Sequence, residues 1–533
     1  MRATIIASVT AVFLLTATAA NAAPPATPHV TIGAEIKKLI FDWDSVTGAG
    51  YYRLMVKIGS GAYKPLIDNI PASTTQVKLS ISVHLLPWTL THYSVAACNS
   101  SGCTNSADIS PQNLMLDAIG YFKASNPDPA DNFGSVVLSD DGRTLAVGAP
   151  NEASDATGVN GNWGNNNSRW SGAVYVFRRT SSGWRQVAYL KAGVNQTNQF
   201  FGSALLAFEK ALAINYNGTM IAVGAPFQNA SGLLEPGVVY VYQKAASGTW
   251  SLTDTLMSPR PQTNGNFGTS LDMSIDGRTL KVNSYVPEVS THIFIRPGST
   301  WQHSVELAPF FAGDDCRVVR LSRDGNTLVS SCENQSTGLA RLETRKRSGN
   351  TWTHVADQPL TTQASAMGLA LDFNASTMAL QETQQRTVAL LRWNGSGWVR
   401  ERTFVQPDVP SLPIFSFGTS LALSRTGDVL AIANAEVAED GAGVSPISMP
   451  GTQMRGAVYL WRRDAHLTWV LRSIVKAAIP TNTNSMLFGN SIDMCGNGNA
   501  LVVGEPLDYS SARGVGGDRT NTSKPGAGAA YLY

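Results

Sequence analysis

The chain has 533 residues, which at ~100–200 residues per domain is room for two to four domains, or for one large repeat array with something small beside it. Lysine and arginine number 40 and aspartate and glutamate 38, giving a formal charge of +2 with only 15% charged residues; this excludes an electrostatic nucleic-acid binder, which needs a clustered basic face. The 43% hydrophobic residues exclude wholesale disorder, and the abundance of Gly, Ser, Thr and Asn suits short strands and an all-β fold.

Residues 1–22 read as a signal peptide, with a basic start at Met1-Arg2, an apolar stretch from Ile5 to Leu15 and an A-x-A site at Ala20-Asn21-Ala22. That stretch is too short for a membrane span, and no later run approaches the length of one. The expectation is an exported protein, periplasmic or extracellular, without a transmembrane segment and in a compartment that permits disulfides. Cys98 and Cys103 flank a tight Asn-Ser-Ser-Gly loop between strand-like runs and are expected to pair there.

Residues 28–111 read as a small β-sandwich. Leu39 to Trp43, Tyr51 to Val56 and Tyr93 to Ala97 are strand-like runs between Gly, Pro, Asn and Ser clusters. Trp43 and Tyr93 fill the places where a sandwich puts its core filler and its corner hydrogen bond. At these residues the segment resembles a fibronectin type III domain, which implies a spacer or adhesive module.

The remainder is a repeat array. Asp141-Gly142-Arg143-Thr144-Leu145-Ala146-Val147-Gly148 returns as Asn217-Gly218-Thr219-Met220-Ile221-Ala222-Val223-Gly224 and as Asp276-Gly277-Arg278-Thr279-Leu280-Lys281-Val282, with weaker copies at Asp324-Gly325, Asn374-Ala375, Thr426-Gly427 and Asn497-Gly498. Seven copies spaced this way fit a core period near that of a propeller blade, with loop insertions. A Phe-Gly pair precedes five of the turns (Phe133-Gly134, Phe201-Gly202, Phe267-Gly268, Phe417-Gly418, Phe488-Gly489), and Trp184, Trp250, Trp301, Trp352, Trp398 and Trp469 open fourth strands. The seventh copy lacks a fourth strand, and Leu116 to Ala124 is expected to supply it, since an open ring leaves a long unpaired edge.

Phe-Gly followed by Val147-Gly148-Ala149-Pro150 or Val223-Gly224-Ala225-Pro226 resembles the FG-GAP repeat, which builds the seven-bladed propeller of integrin α subunits and of many exported bacterial proteins. The resemblance covers 113–533 and implies a seven-bladed propeller of four-stranded blades. The family's calcium loop is cut short here: Ser139-Asp140-Asp141-Gly142 and Arg323-Asp324-Gly325 leave one or two carboxylates where calcium needs six to eight oxygens. No metal and no cofactor is therefore expected, and the Asp-Gly pairs read as tight turns. Cys316 and Cys332 lie on either side of the Asp324-Gly325 turn, so a cross-strand disulfide is expected between them; Cys495 is left as a small buried side chain.

No metalloprotease, nucleophile-elbow or phosphate-loop motif appears, and the seven histidines are scattered. The catalytic assignment is none. The second-to-third strand loops at 151–170, 227–236, 436–454 and 507–525 are long and belong to copies one, two, six and seven, which adjoin around a closed ring. Rigid scaffolds carry binding on such loops. They bring Trp163, Arg169, Trp170, Glu439, Asp440, Tyr509 and Asp518 forward as ligand-binding candidates, against a plainer reading in which the loops pack on one another with the aromatics as plugs. The expected protein is a monomeric, non-enzymatic binding or adhesion protein for a glycan or protein ligand; the alternative is a carbohydrate-active enzyme, a glycosidase or lyase, with carboxylates converging in the central channel.

Overall fold

The computed structural model describes residues 23–203, 209–285, 289–360, 367–382, 386–407, 416–478 and 487–533; the signal-peptide reading of 1–22 falls outside them. The chain forms two compact units, one of residues up to Gly33 with Ile40–Lys78 and Leu90–Pro111, the other of Ala34–Leu39, Leu79–Thr89 and Gln112–Tyr533.

Between residues 30 and 105 lie a three-stranded sheet (Val30–Glu35, Lys38–Trp43, Gln76–Ser80) and a four-stranded one (Lys64–Pro71, Tyr51–Ile58, Thr91–Asn99, Gly102–Asn105). Every second residue of Lys38–Trp43 is buried, the period of a strand with one face on a core. Trp43 meets Tyr52 and Phe41 meets Tyr93 edge to face, at 5.3 and 5.0 Å. Tyr93 is a core residue; the hydroxyl-to-backbone bond expected of it is made by Tyr52, which accepts from Val46 N at 2.7 Å. Cys98 and Cys103 face each other across a hairpin and are disulfide-bonded.

From Ser135 onward the described residues hold seven antiparallel sheets of four or five strands, numbered here in chain order, and a two-stranded one that pairs Ala438–Glu439 with Pro450–Met454. In the seventh, Ser491–Met494, Leu501–Glu505 and Ala529–Leu532 are completed by Gly120–Phe122, with Tyr121 opposite Tyr531. The sixth departs from four strands: Val444–Ser445, within its long loop, folds back as a fifth strand on the outer edge of Trp469–Val475. That loop is long enough to cover an edge that would otherwise be open. The first strand of each sheet touches the first strand of the next, and that of the seventh touches that of the first. This circular order is that of a β-propeller.

Backbone hydrogen bonds close the circle at the turns. Asp141 N donates to Tyr216 O, Tyr216 N to Ile275 O, Ile275 N to Arg323 O, Asp324 N to Phe373 O, Phe373 N to Arg425 O, Arg425 N to Gly496 O and Gly496 N to Asp140 O, all between 2.8 and 3.1 Å. Within each turn the residue three before the glycine position caps the backbone. Ser139, Ser274 and Ser322 Oγ accept from Thr144, Thr279 and Thr327 N at 2.9 Å each, and Cys495 Sγ stands in for a serine, accepting from Ala500 N at 3.1 Å. The aspartates of the Asp-Gly pairs accept from the same turns: Asp141 and Asp276 bind Arg143 N and Arg278 N at 2.9 and 3.0 Å.

The Phe-Gly and Gly-Ala-Pro motifs are docking surfaces between sheets. Phe201 N donates to Ser171 O and Phe267 N to Pro236 O, at the start of the preceding sheet's third strand, while each phenylalanine ring packs on aromatic residues of its own third strand. A Cβ on Gly224 would lie 2.0 Å from Gly268 O, and one on Gly504 would lie 1.8 Å from Gly134 O, across the joint between the seventh sheet and the first. Cys316 and Cys332 form the expected disulfide in the fourth sheet, which has no Phe-Gly pair.

Two outcomes follow for stability. Gly504→Ala should destabilise the protein by more than ~3 kcal/mol in urea titrations, because backbone on both sides cannot yield; a loss below ~1 kcal/mol would show that the joint is loose. Ala375 occupies a turn glycine's place at φ +54°, so Ala375→Gly should raise stability by ~0.5–1 kcal/mol, and a decrease would refute the strain.

Candidate functional site

Alternating strand directions put the first-to-second turns at one end of every sheet and the second-to-third loops at the other. The long loops of sheets six, seven, one and two therefore share a face. Three of them are anchored by buried ion pairs that sequence reasoning did not foresee. Lys191 at the end of a fourth strand reaches Glu152 at 2.8 Å, and also Ser171 Oγ at 2.7 Å and Ser154 O at 2.9 Å. Lys123 reaches Asp508 at 2.7 Å, with Tyr121 O–H on the same carboxylate. Lys476 lies 3.8 Å from Glu439 and donates to Asp440 O at 2.5 Å. Burial holds all three lysines below the usual ammonium range, and the carboxylates oppose that shift. In sheet two the lysine position is Met257 and the acid position Gln228, whose amide donates to Tyr240 O–H at 2.8 Å. Both members of the pair are replaced together, as expected where either alone would leave a buried charge unmatched.

The loop candidates divide. Arg169 stacks its guanidinium 3.8 Å above the Trp170 ring; Trp170 lies 5.5 Å from Phe200, and Phe200 5.5 Å from Phe227. This half-exposed row joins the loops of sheets one and two. Trp170 and Phe200 both have left-handed backbone, at φ +55° and +50°, which is costly for bulky side chains and concentrates at functional positions. Phe200 and Phe227 were missed because they adjoin motif residues. Trp163 is 43% exposed and packs edge-on to Tyr189 at 6.0 Å. Glu439 is buried, accepting from Met449 N at 2.7 Å. Asp440 is half exposed beside Arg455, Asp518 is exposed and caps Thr520, and Tyr509 is half-buried. The structure thus brings Arg169 and Trp170 together and leaves the others apart from them.

A second feature is the central channel, a cavity of about 140 Å³. Every first strand contributes the residue five before its turn position: Val137, Ala213, Asp272, Arg320, Ala370, Ala422 and Asp493. Its carboxylates serve neighbouring strands, since Asp493 Oδ2 accepts from Leu138 N at 2.8 Å and Asp272 Oδ2 from Leu321 N at 3.2 Å. Lys281 stands 3.4 Å from Asp272, and Arg323 3.7 Å from Asp493. At the turn end Asp140 is clasped by Arg323, at 2.9 Å, and by Arg425, whose guanidinium lies over the Tyr216 and Phe373 rings. Burial pushes the Glu209 carboxyl up to about 7 and, near the loops, that of Asp131 up to about 7.

No protein-family model and no curated protein sequence matches the chain. Among solved structures it is similar to the β-propeller domain of Cps50 (Swd1) from Myceliophteria thermophila, at 10% identity and TM-score 0.44, over 75% of this chain and 96% of that one. It is also similar to a 6-phosphogluconolactonase-like protein of Bacteroides fragilis (10%, TM-score 0.40, 82% and 98%) and to the periplasmic gluconolactonase of Pseudomonas aeruginosa (12%, TM-score 0.40, 81% and 98%). Likeness at this level transfers no site.

The ion pairs can be tested against the natural replacement in sheet two. Lys191→Met should cost about 3–5 kcal/mol by leaving Glu152 buried and unmatched, and adding Glu152→Gln should restore most of it. A double variant as unstable as the single one would mean that the lysine acts through packing alone.

Proposed function

We propose that this chain is an exported, non-enzymatic binding or adhesion protein. In this reading an FG-GAP-type seven-bladed propeller follows a fibronectin type III-like sandwich and presents its long-loop face to a glycan or protein ligand. The observation that carries the reading is the Arg169–Trp170–Phe200–Phe227 row, in which two large aromatics are held half-exposed on left-handed backbone. An aromatic and arginine cluster on a rigid support is the composition of a binding hot spot. Support for rigidity comes from the buried ion pairs beneath three of the loops. Support for export comes from the two disulfides; no described helix is long and apolar enough to cross a membrane. The engagement of Asp272 and Asp493 by backbone N–H groups of neighbouring strands gives these channel carboxylates a structural role and weighs against their serving as a catalytic pair.

The test is a glycan and matrix-protein array probed with wild type and with an Arg169→Ala, Trp170→Ala double variant of verified melting temperature. Binding should fall at least about tenfold. Unchanged binding would remove the row from the reading, and an array with no positive at all would overturn it.

A further inference from the structure

We propose that Lys123 and Asp508 condense to a side-chain amide, with Glu505 relaying the proton, and that this bond ties the segment completing the seventh sheet to the loop beside it.

The ion pair holds the reacting groups together. Lys123 Nζ lies 2.7 Å from Asp508 Oδ1, and both side chains are buried. A nitrogen so placed is near the ~3–3.5 Å from the carboxyl carbon at which reacting atoms are poised. Tyr121 O–H and Ser510 N also donate to Oδ1, at 3.1 and 2.9 Å. Three donors on one oxygen polarise the carboxyl and meet the negative charge that an attacking amine puts there. Among the described residues Lys123 Nζ has this one acceptor, whereas Lys191 Nζ spreads its hydrogens over three. Fewer hydrogen bonds to the ammonium make its neutral form easier to reach.

Glu505 sets this pair apart from the others. It stands opposite Ala529, and Phe122 stands opposite Ala530, so Glu505 and Lys123 flank the small Ala529. Sheets one and two have Ala149 and Ala225 in the place of Glu505, and sheet six has Asn434. Glu505 is buried, hydrogen-bonded to Tyr531 and close enough to feel the charges of Asp508 and Lys123. With all three groups ionised, the site would carry a buried net negative charge. Burial, and then Asp508, hold the Glu505 carboxyl well above the usual carboxylate range, so it keeps its proton; burial also draws Lys123 below the usual ammonium range. The buried Tyr121 and Tyr531 rings, 5.3 Å apart, help to keep water out.

The step balances with no other reactant. Lys123 passes one proton to Asp508 Oδ2, giving an amine and a carboxylic acid. The amine lone pair forms the N–C bond at Asp508 Cγ while negative charge collects on Oδ1. Glu505 then protonates Oδ2, the C–Oδ2 bond breaks and water leaves, the Oδ1 double bond re-forms, and Glu505 recovers a proton from the nitrogen. One ammonium and one carboxylate become one amide and one water, and two buried charges disappear. The new bond joins residues 385 positions apart and holds the ring closed even when the hydrogen bonds of its closing strand open.

Peptide mapping of the purified full-length chain, reduced and digested with trypsin, tests the bond in wild type alone. The expected species is residues 79–143, uncut after Lys123, joined to residues 477–513, at a mass lower than their sum by one water. In chains shown by their melting curves to be folded, Lys123→Arg should abolish the joined species, and Glu505→Gln should lower its fraction at a fixed time after synthesis at least about tenfold. Wild-type peptides that are separate and cut after Lys123, or a water loss that maps to any other pair of residues, would overturn the proposal. A folded Glu505→Gln chain joined as fully as wild type would overturn the part given to Glu505.

Discussion

The innermost strand of each sheet has one side with no partner in its own sheet, and the second unit is organised by what the N–H groups on that side find to bind. In an open stack they would face water or recruit another chain. Here they find the next sheet. Side chains take some of them, as Ser491 Oγ accepts from Val136 N and Ser420 Oγ from Ile492 N, both at 3.1 Å; the carboxylates of Asp272 and Asp493 take others. At the turns the backbone satisfies itself in a closed belt that returns from Gly496 to Asp140. Closure therefore belongs to the hydrogen-bond accounting of every repeat. It explains why Gly496 has no side chain: a Cβ there would lie 2.4 Å from the Asp140 carboxylate.

This requirement also shapes the chemistry of the channel. A carboxylate that accepts a neighbouring N–H is held in one orientation and draws cations to itself, so the charges lining the axis are in part structural before they are anything else. Acids on only two of the seven equivalent positions, with an arginine and four apolar residues on the rest, leave the ring lopsided. Asp272 and Arg320 stand on adjoining sheets, while Asp493 stands across the ring between Ala422 and Val137, a pattern that seven identical repeats would not have.

Much of this was legible in the residues. The turn glycines marked the repeats because left-handed backbone strongly favours glycine, and the Phe-Gly and Gly-Ala pairs marked the joints because two backbones meet there. The disulfides followed from hairpin register. What escaped notice has equally physical causes. Lys123-Ala124, Lys191-Ala192 and Lys476-Ala477 recur at the ends of fourth strands, but a lysine in a strand ordinarily reads as a solvated edge residue, and only the fold reveals the acid buried opposite. The loop aromatics were half-readable: Arg169 and Trp170 stood out in polar surroundings, whereas Phe200, next to Phe201-Gly202, looked like part of the motif. Glu439 looked like a surface acid because its partner, Lys476, lies 37 positions on in sequence. Channel residues are invisible to a linear reading, since no two sheets' contributions are close in the chain.

The ion pairs and the loops are linked by the same physics. A loop of about twenty residues over a sheet end carries backbone polar groups toward the core, and each must be met or solvated. Lys191 meets three acceptors at once, the Glu152 carboxylate, the Ser154 carbonyl and the Ser171 hydroxyl, and so fastens the base of its loop to the sheet. Sheet two, whose loop is half as long, uses Met257 and Gln228 in the same places, and sheets three to five, with the shortest connections, have Ala308, Pro359 and Val405 seven residues after their tryptophans. A buried lysine and carboxylate is a poor source of stability in general. It is useful where a long insertion must leave the sheet at a fixed angle, which is the condition for holding Trp170 against Phe200 on the neighbouring segment.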